Sequence, residues 1–151
     1  MKSLLQLTVS AVFSINCVGN SNAATCKMDK AIYEIRGAAE FRLTLSKSTK
    51  PESLSNIAIT VTTPFRSYDF FITYSNGYVR SFLSPEWPDA PDNATMLLLA
   101  FNEDLSAAYT DFKIGEPAPP LLLVPDLGPF IYYDSNHGSS VPDGFWRLQP
   151  C

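Results

Sequence analysis

The chain has 151 residues, with 11 lysines and arginines against 15 aspartates and glutamates, and a formal net charge of -4 at neutral pH. This length is room for one domain, and the sequence has no run of basic residues of the kind that a nucleic-acid interface needs. A single histidine and three cysteines leave few ligands for a transition metal, so neither a metal nor a cofactor is expected.

The first 23 residues have the composition of a secretory signal. Lys2 supplies the positive end, residues 4–15 supply an apolar run, and Ser21-Asn22-Ala23 supplies small residues before a cleavage site. The apolar run is too short to span a bilayer, and no later stretch approaches about 18 apolar residues. We therefore expect a single β domain over 24–151, exported to the periplasm or the extracellular space, with a net charge of -5 once Lys2 is removed.

Cys17 leaves an alternative open, because a bacterial lipoprotein signal also carries a cysteine near the end of its apolar run. The residues three before and one before it are Ser14 and Asn16, where that motif prefers a leucine-like and a small residue. Cleavage without a lipid anchor is the favoured interpretation.

Removal of the signal leaves two cysteines, Cys26 and Cys151, at opposite ends of the mature chain. In an oxidising compartment such a pair is most simply a disulfide. The alternative is two free thiols, of which an exposed terminal one would oxidise.

Three segments near the start alternate apolar and polar residues, which is the period of a strand with one buried face. They cover residues 30–36, 39–45 and 57–63. The predicted inward side chains are Ala31, Tyr33, Ile35, Phe41, Leu43, Leu45, Ile57, Ile59 and Val61.

Residues 68–83 predict a hairpin with a two-residue turn at Asn76-Gly77, which pairs Tyr74 with Val79. One face, with Tyr68, Phe70, Ile72, Tyr74, Val79 and Leu83, is the core candidate. The other face carries three aromatic residues, Phe71, Tyr78 and Phe82, which is more than an ordinary solvent face needs.

The second half of the chain is less regular. Residues 84–93 predict a loop, 95–101 a fully buried strand, 129–133 a short strand and 145–151 the last strand. Residues 102–114 fit a short helix or a strand, and a strand is favoured. Together the segments predict an all-β fold, a small antiparallel sandwich or partly open barrel whose termini are tied by the disulfide.

The sequence gives only weak evidence for catalytic residues. Asp134, His137 and Ser139 are the residue types of a hydrolytic triad, but they crowd one loop, and no Gly-x-Ser-x-Gly elbow is present. A solvated loop histidine is the favoured interpretation. The carboxylates of Glu34 and Asp69 are a formal glycosidase pair.

Oxygen ligands for calcium occur at Asp89, Asp92 and Asn93, without the spacing of an EF-hand. Acidic residues in a loop are usually only solvated. No catalytic residue and no metal site is assigned from the sequence.

Two further features indicate binding. Trp87 lies in the proline-rich loop, and Leu122 and Leu123 belong to an apolar run over 121–124 between prolines. Together with Phe71, Tyr78 and Phe82 they are the predicted binding residues. The alternative is that Trp87 and the apolar run fold back and cap the open ends of the fold.

The sequence therefore predicts an exported small β domain that binds a protein partner in the envelope or outside the cell. The most concrete hypothesis is an inhibitor or immunity-type protein that engages a secreted enzyme. Alternatives are a glycan- or small-ligand-binding module, a carboxylate-dependent hydrolase, and a subunit of an envelope structure.

We expect His137→Ala to leave the thermal midpoint and any binding function nearly unchanged, because a solvated loop histidine contributes little to either. Thermal unfolding and partner capture measure both. Loss of function in a well-folded His137→Ala variant would reopen the hydrolase hypothesis.

Overall fold

The computed structural model describes residues 25–50, 55–75, 80–88, 90, 94–134 and 140–151. Eight antiparallel strands form one closed barrel, with a short 3₁₀ helix before the first strand and one α-helix before the last. The strands are β1 Ile32–Ile35, β2 Ala38–Lys47, β3 Ile57–Thr62, β4 Ser67–Tyr74, β5 Ser81–Pro85, β6 Met96–Phe101, β7 Leu121–Leu123 and β8 Trp146–Leu148; the helices are the 3₁₀ helix Met28–Lys30 and α1 Leu127–Asp134.

Each strand pairs with its neighbours in sequence, and β1 pairs with β8 to close the sheet. The predicted all-β fold is confirmed, and of the two predicted architectures it is the barrel, fully closed. Closure removes the unpaired edges that an open sheet exposes. The connections β1–β2, β3–β4, β5–β6 and β7–β8 lie at one end, here called the upper end. Cys26, Cys151 and the other connections lie at the lower end.

The alternating pattern of the first three strands is confirmed. Tyr33, Leu43, Leu45, Ile59 and Val61 are all buried, with at most 1% of their surface exposed. An eight-stranded barrel is just wide enough for side chains to fill. The described interior is filled in this way, with Trp146, Tyr33, Tyr68 and Phe70 among its largest fully buried side chains.

Tyr33 connects the core to the segment before β7. Its hydroxyl donates a hydrogen bond to the Pro119 carbonyl over 2.9 Å. Burial raises the pKa of Tyr33 well above its ordinary value, since a buried phenolate would lose its hydration. The phenol therefore stays protonated and remains a donor.

The predicted hairpin is present, since β4 pairs with β5, but the predicted register is wrong. Tyr74 lies opposite Ser81 and not opposite Val79. The Ser75 N–H donates to the Arg80 carbonyl over 3.1 Å. The connection between the paired residues is therefore longer than a two-residue turn.

A displacement of two residues keeps the same side chains inside, because side chains alternate between the two faces. Ile72 and Leu83 lie opposite each other and are fully buried, as predicted for that face. The hydrophobic pattern therefore cannot distinguish the two registers. The Asn76-Gly77 pair itself lies outside the described residues.

Two predictions for the middle of the chain are wrong. Strand β6 is not buried on both faces, since Met96 and Leu98 point inward while Leu97 and Leu99 are half-buried on the outer face. Residues 102–114 form neither a strand nor a helix. They begin with a turn and then cross the lower end of the barrel.

Phe112 closes the lower end. It is 2% exposed, and its carbonyl accepts a hydrogen bond from the buried Ser55 hydroxyl over 2.6 Å. The following residues run antiparallel to the segment before β1, with the Met28 N–H bonded to the Glu116 carbonyl over 2.8 Å. This long connection thus covers the lower end of the barrel.

Residues 129–133, predicted as a strand, belong to the helix α1. Leu127 and Ile131, four residues apart, are buried, whereas Tyr132 and Tyr133 are exposed. This is the spacing of one helical face, and Pro129 is accommodated because it lies in the first turn. A run of five apolar residues is too short to separate the two periods in the sequence.

The predicted disulfide is confirmed. Cys26 and Cys151 are bonded, with their Cα atoms 5.6 Å apart. They lie beyond the start of β1 and the end of β8, which are antiparallel neighbours. The predicted signal over residues 1–23 lies outside the described residues. No helix in the described part of the chain is long and apolar enough to cross a membrane.

We expect reduction of the Cys26–Cys151 bond to lower the free energy of unfolding. In the chain-entropy model a loop of this length contributes up to roughly 4 to 5 kcal/mol. Denaturant unfolding of oxidised and reduced protein measures the difference, and non-reducing peptide mapping should show the two terminal peptides joined. Free thiols at both positions in protein from its native compartment would contradict the prediction.

Candidate binding site at the upper end of the barrel

Four aromatic rings close the upper end of the barrel. The Trp87 ring lies 5.3 Å from Tyr68, 5.4 Å from Phe70 and 5.7 Å from Phe130, centroid to centroid. The two contacts to the β4 rings are edge-to-face, a favourable geometry for aromatic pairs. Trp87 follows the bond from the Glu86 N–H to the Asp69 carbonyl, 2.9 Å long, which continues the pairing of β4 and β5.

Asp134, the last residue of α1, holds this cluster from the other side. One carboxylate oxygen accepts a hydrogen bond from the Trp87 indole N–H over 3.2 Å. The other is 3.5 Å from a guanidinium nitrogen of Arg66 and has no hydrogen-bond partner among the described residues. Asp134 thus links the helix to the β5–β6 loop and the β3–β4 turn.

Arg66 also packs over the aromatic rings. Its guanidinium carbon lies 4.2 Å from the Tyr68 ring centroid and 5.8 Å from that of Trp87. A cation over an aromatic face is attracted by the ring quadrupole. The ion pair and the two ring contacts fix the guanidinium in place, although its side chain remains 46% exposed.

The turn that carries Arg66 is itself held by the buried Thr63. The Thr63 hydroxyl donates to the Arg66 carbonyl over 2.9 Å and accepts from the N–H groups of Phe65 and Arg66. The Thr63 N–H adds a further bond to the same carbonyl, 3.0 Å long. Four hydrogen bonds therefore hold this turn.

Three aromatic side chains project from these supports. Phe65 is 66% exposed, Tyr132 48% and Tyr133 85%. Phe65 precedes Arg66, and Tyr133 precedes Asp134, so both flank the ion pair directly. We call Phe65, Arg66, Tyr132 and Tyr133 the aromatic rim. The aromatic rim was not predicted from the sequence, because Phe65 lies between two predicted strands and the two tyrosines belong to a segment predicted as a strand.

Trp87, a predicted binding residue, is thus half-buried and packed against the core. This is the alternative in which the loop folds back over the end of the fold. Its contact with the Arg66 guanidinium connects it with the aromatic rim.

Phe71 and Phe82 lie elsewhere, on the outer wall of β4 and β5, where both are half-buried. The Lys50 ammonium lies 5.5 Å from the Phe71 ring and forms an ion pair with Glu86 at 2.7 Å. Tyr78, the third aromatic residue predicted for this face, lies outside the described residues.

Leu122 is fully buried and lies opposite Trp146 in the sheet. Its prediction as an exposed anchor is wrong, because β7 places it in the core. Leu123, on the other face of the strand, is half-buried and lines a groove of about 300 Å³ beside the start of α1. The predicted binding residues therefore do not form one surface.

The candidate catalytic residues are not brought together either. Glu34 forms an ion pair with Arg42 at 3.0 Å, and Asp69 accepts a hydrogen bond from Thr60 over 2.7 Å. They lie on β1 and β4, which at ordinary strand spacing are roughly 14 Å apart along the wall. That exceeds the separation of a glycosidase pair.

Of the proposed triad only Asp134 belongs to the described residues, and it is held by Trp87 and Arg66. His137 and Ser139 lie outside them, as do the calcium candidates Asp89, Asp92 and Asn93.

Comparison with known proteins adds no relative: no family model, no curated protein and no solved structure matches the chain.

We expect Trp87→Ala to destabilise the domain by about 2 kcal/mol or more, because it removes three ring contacts and the hydrogen bond to Asp134. Tyr133→Ala, at an 85% exposed position, is the matched control and should change stability by less than about 0.5 kcal/mol. Urea unfolding of both variants measures the effect. Equal small losses would show that Trp87 does not support the upper end.

Proposed function

We propose that this chain is an exported binding protein that engages a protein partner through the aromatic rim. Its most concrete form is an inhibitor or immunity-type protein that covers part of a secreted enzyme. The observation that carries the proposal is the presence of three exposed aromatic side chains around an ordered arginine. The export is supported by the sequence of residues 1–23.

The composition of the aromatic rim supports a protein interface. Tyrosine and arginine are enriched among the residues that contribute most of the binding energy, and such residues cluster at the centre of an interface. Exposed aromatic rings gain more from burial than small polar side chains do. The aromatic rim combines two tyrosines and an arginine with Phe65 at one end of a small barrel.

The residues that hold the aromatic rim in place also support the proposal of a protein interface. Thr63 fixes the turn below Phe65, and Asp134 fixes the guanidinium of Arg66. Side chains that are positioned before binding lose less conformational entropy when a partner covers them. The charge of the mature chain, -5 by sequence, favours approach to a basic partner.

The outer wall of β4 and β5, with Phe71 and Phe82, is a weaker candidate for the binding surface. Both side chains are half-buried, and the Lys50–Glu86 ion pair lies beside the Phe71 ring. A partner would gain less area there than at the aromatic rim.

Binding of a glycan is the second candidate, because single exposed tyrosines also stack against sugar rings. However, the Tyr132 and Tyr133 rings are nearly perpendicular, with an interplanar angle of 82° and centroids 5.4 Å apart. They do not form a flat platform along which several sugar units lie. This geometry favours an irregular protein surface.

Partner capture with rim variants tests the proposal. Mature protein is immobilised and exposed to an envelope extract of the source cells, and bound protein is identified and quantified. We expect one stoichiometric partner, whose affinity falls about 30-fold or more for Phe65→Ala and Tyr133→Ala, as for interface anchors that contribute about 2 kcal/mol each. The purified partner should lose enzymatic activity when the wild-type protein is added.

Tyr109→Ala is the control, since Tyr109 is 96% exposed but lies in the lower-end connection. It should bind like the wild type, and all three variants should keep the thermal midpoint within a few degrees. Undiminished capture by the two rim variants would refute this interface. Retention on polysaccharide in place of a protein would favour the glycan hypothesis.

A further inference from the structure

Among the described residues, the wall of the barrel has a gap in its pairing beside β6. Strand β5 begins with Ser81 opposite Leu98. Further along β6 the wall continues with the segment after it, since the Ala108 N–H donates to the Ala100 carbonyl over 2.9 Å. At Leu99, between the two, no described residue pairs with β6 on this side.

A cavity of about 470 Å³ opens at this gap. Its lining is mainly apolar and includes Leu97, Leu98, Leu99, Ala100 and Phe112. Leu98 and Phe112 are core residues, 3% and 2% exposed, so the cavity reaches from the surface to the packed interior. A cavity of about 150 Å³ already holds benzene, and this one has room for a chain of about ten carbons.

Arg80 places a positive charge at the opening of the cavity. It is exposed and lines the opening together with Ser81 and Thr110. Within the described part of the chain its guanidinium makes no ion pair or side-chain hydrogen bond. Three other arginines of the described residues, Arg42, Arg66 and Arg147, form ion pairs with acidic side chains. Arg80 is thus available to an anion from solution.

We propose that this cavity binds an amphipathic carboxylate, an unbranched apolar chain of about ten carbons with an anionic head. The chain enters through the gap towards Leu98 and Phe112, and the carboxylate meets the guanidinium of Arg80. Ligand sites commonly combine an apolar lining with a few polar groups that fix orientation, and a guanidinium binds a carboxylate through two parallel hydrogen bonds. The site is independent of the aromatic rim.

Titration calorimetry with decanoate and with 1-decanol, on the same variants, tests the proposal. The wild type should bind decanoate at one saturable site and more tightly than decanol. Arg80→Gln should weaken decanoate binding about tenfold, the effect of one charge-assisted contact, and leave decanol binding unchanged. Arg36→Gln is the control, because Arg36 is exposed in the β1–β2 turn at the upper end.

Three results would overturn the proposal: no saturable binding of decanoate, equal affinities in wild type and Arg80→Gln, or the same loss in Arg36→Gln. Ala108→Leu, which fills the cavity, should abolish binding of both ligands. If that variant does not fold, nuclear Overhauser contacts in the wild type decide the location. Contacts from the decanoate chain to the Leu98 methyls and the Phe112 ring support the proposal, and contacts only elsewhere refute it.

Discussion

Three backbone pairs between the first and the last strand close the barrel, and the packing of every other element depends on them. Tyr33 lies opposite Leu148, and Ile35 opposite Trp146. Because these residues are far apart in sequence, their pairing carries a large loop-closure entropy. The disulfide just beyond the paired strands reduces that cost, since it joins the same two chain ends in the unfolded state. Trp146 and Tyr33 can then complete the interior.

The packed interior restricts where this protein can bind anything. A barrel of eight strands holds either its own side chains or one small ligand, and here the described interior is occupied by large side chains. Each end is covered as well, the upper one by Trp87 and the lower one by Phe112. The two proposed binding sites accordingly lie outside this interior, at the surface of the upper end and at the gap beside β6.

The sequence predicted the strand faces of the first half of the chain and one long-range contact. Alternation identified the inward residues of β1 to β3, and the Cys26–Cys151 pair indicated which strands meet. The register of β4 and β5 was missed because a shift of two residues leaves the same faces buried. Leu122 was assigned to the surface because prolines flank it, although three residues suffice to complete the sheet between β6 and β8. The aromatic rim was invisible, since exposure of Phe65 and Tyr133 depends on how α1 and the β3–β4 turn meet.

The contact between α1 and the β3–β4 turn separates the side chains that stabilise the upper end from the aromatic side chains that remain exposed. The helix α1 places Leu127 and Ile131 in the core, while the next residues, Tyr132 and Tyr133, remain exposed. Asp134 then binds Trp87 with one oxygen and pairs with Arg66 through the other. Apart from Arg66, the residues that hold the end together are buried or half-buried, and the exposed aromatic side chains are their immediate neighbours in sequence. Such an arrangement lets the exposed side chains change without loss of the fold, which is the property that a surface adapting to one particular partner requires.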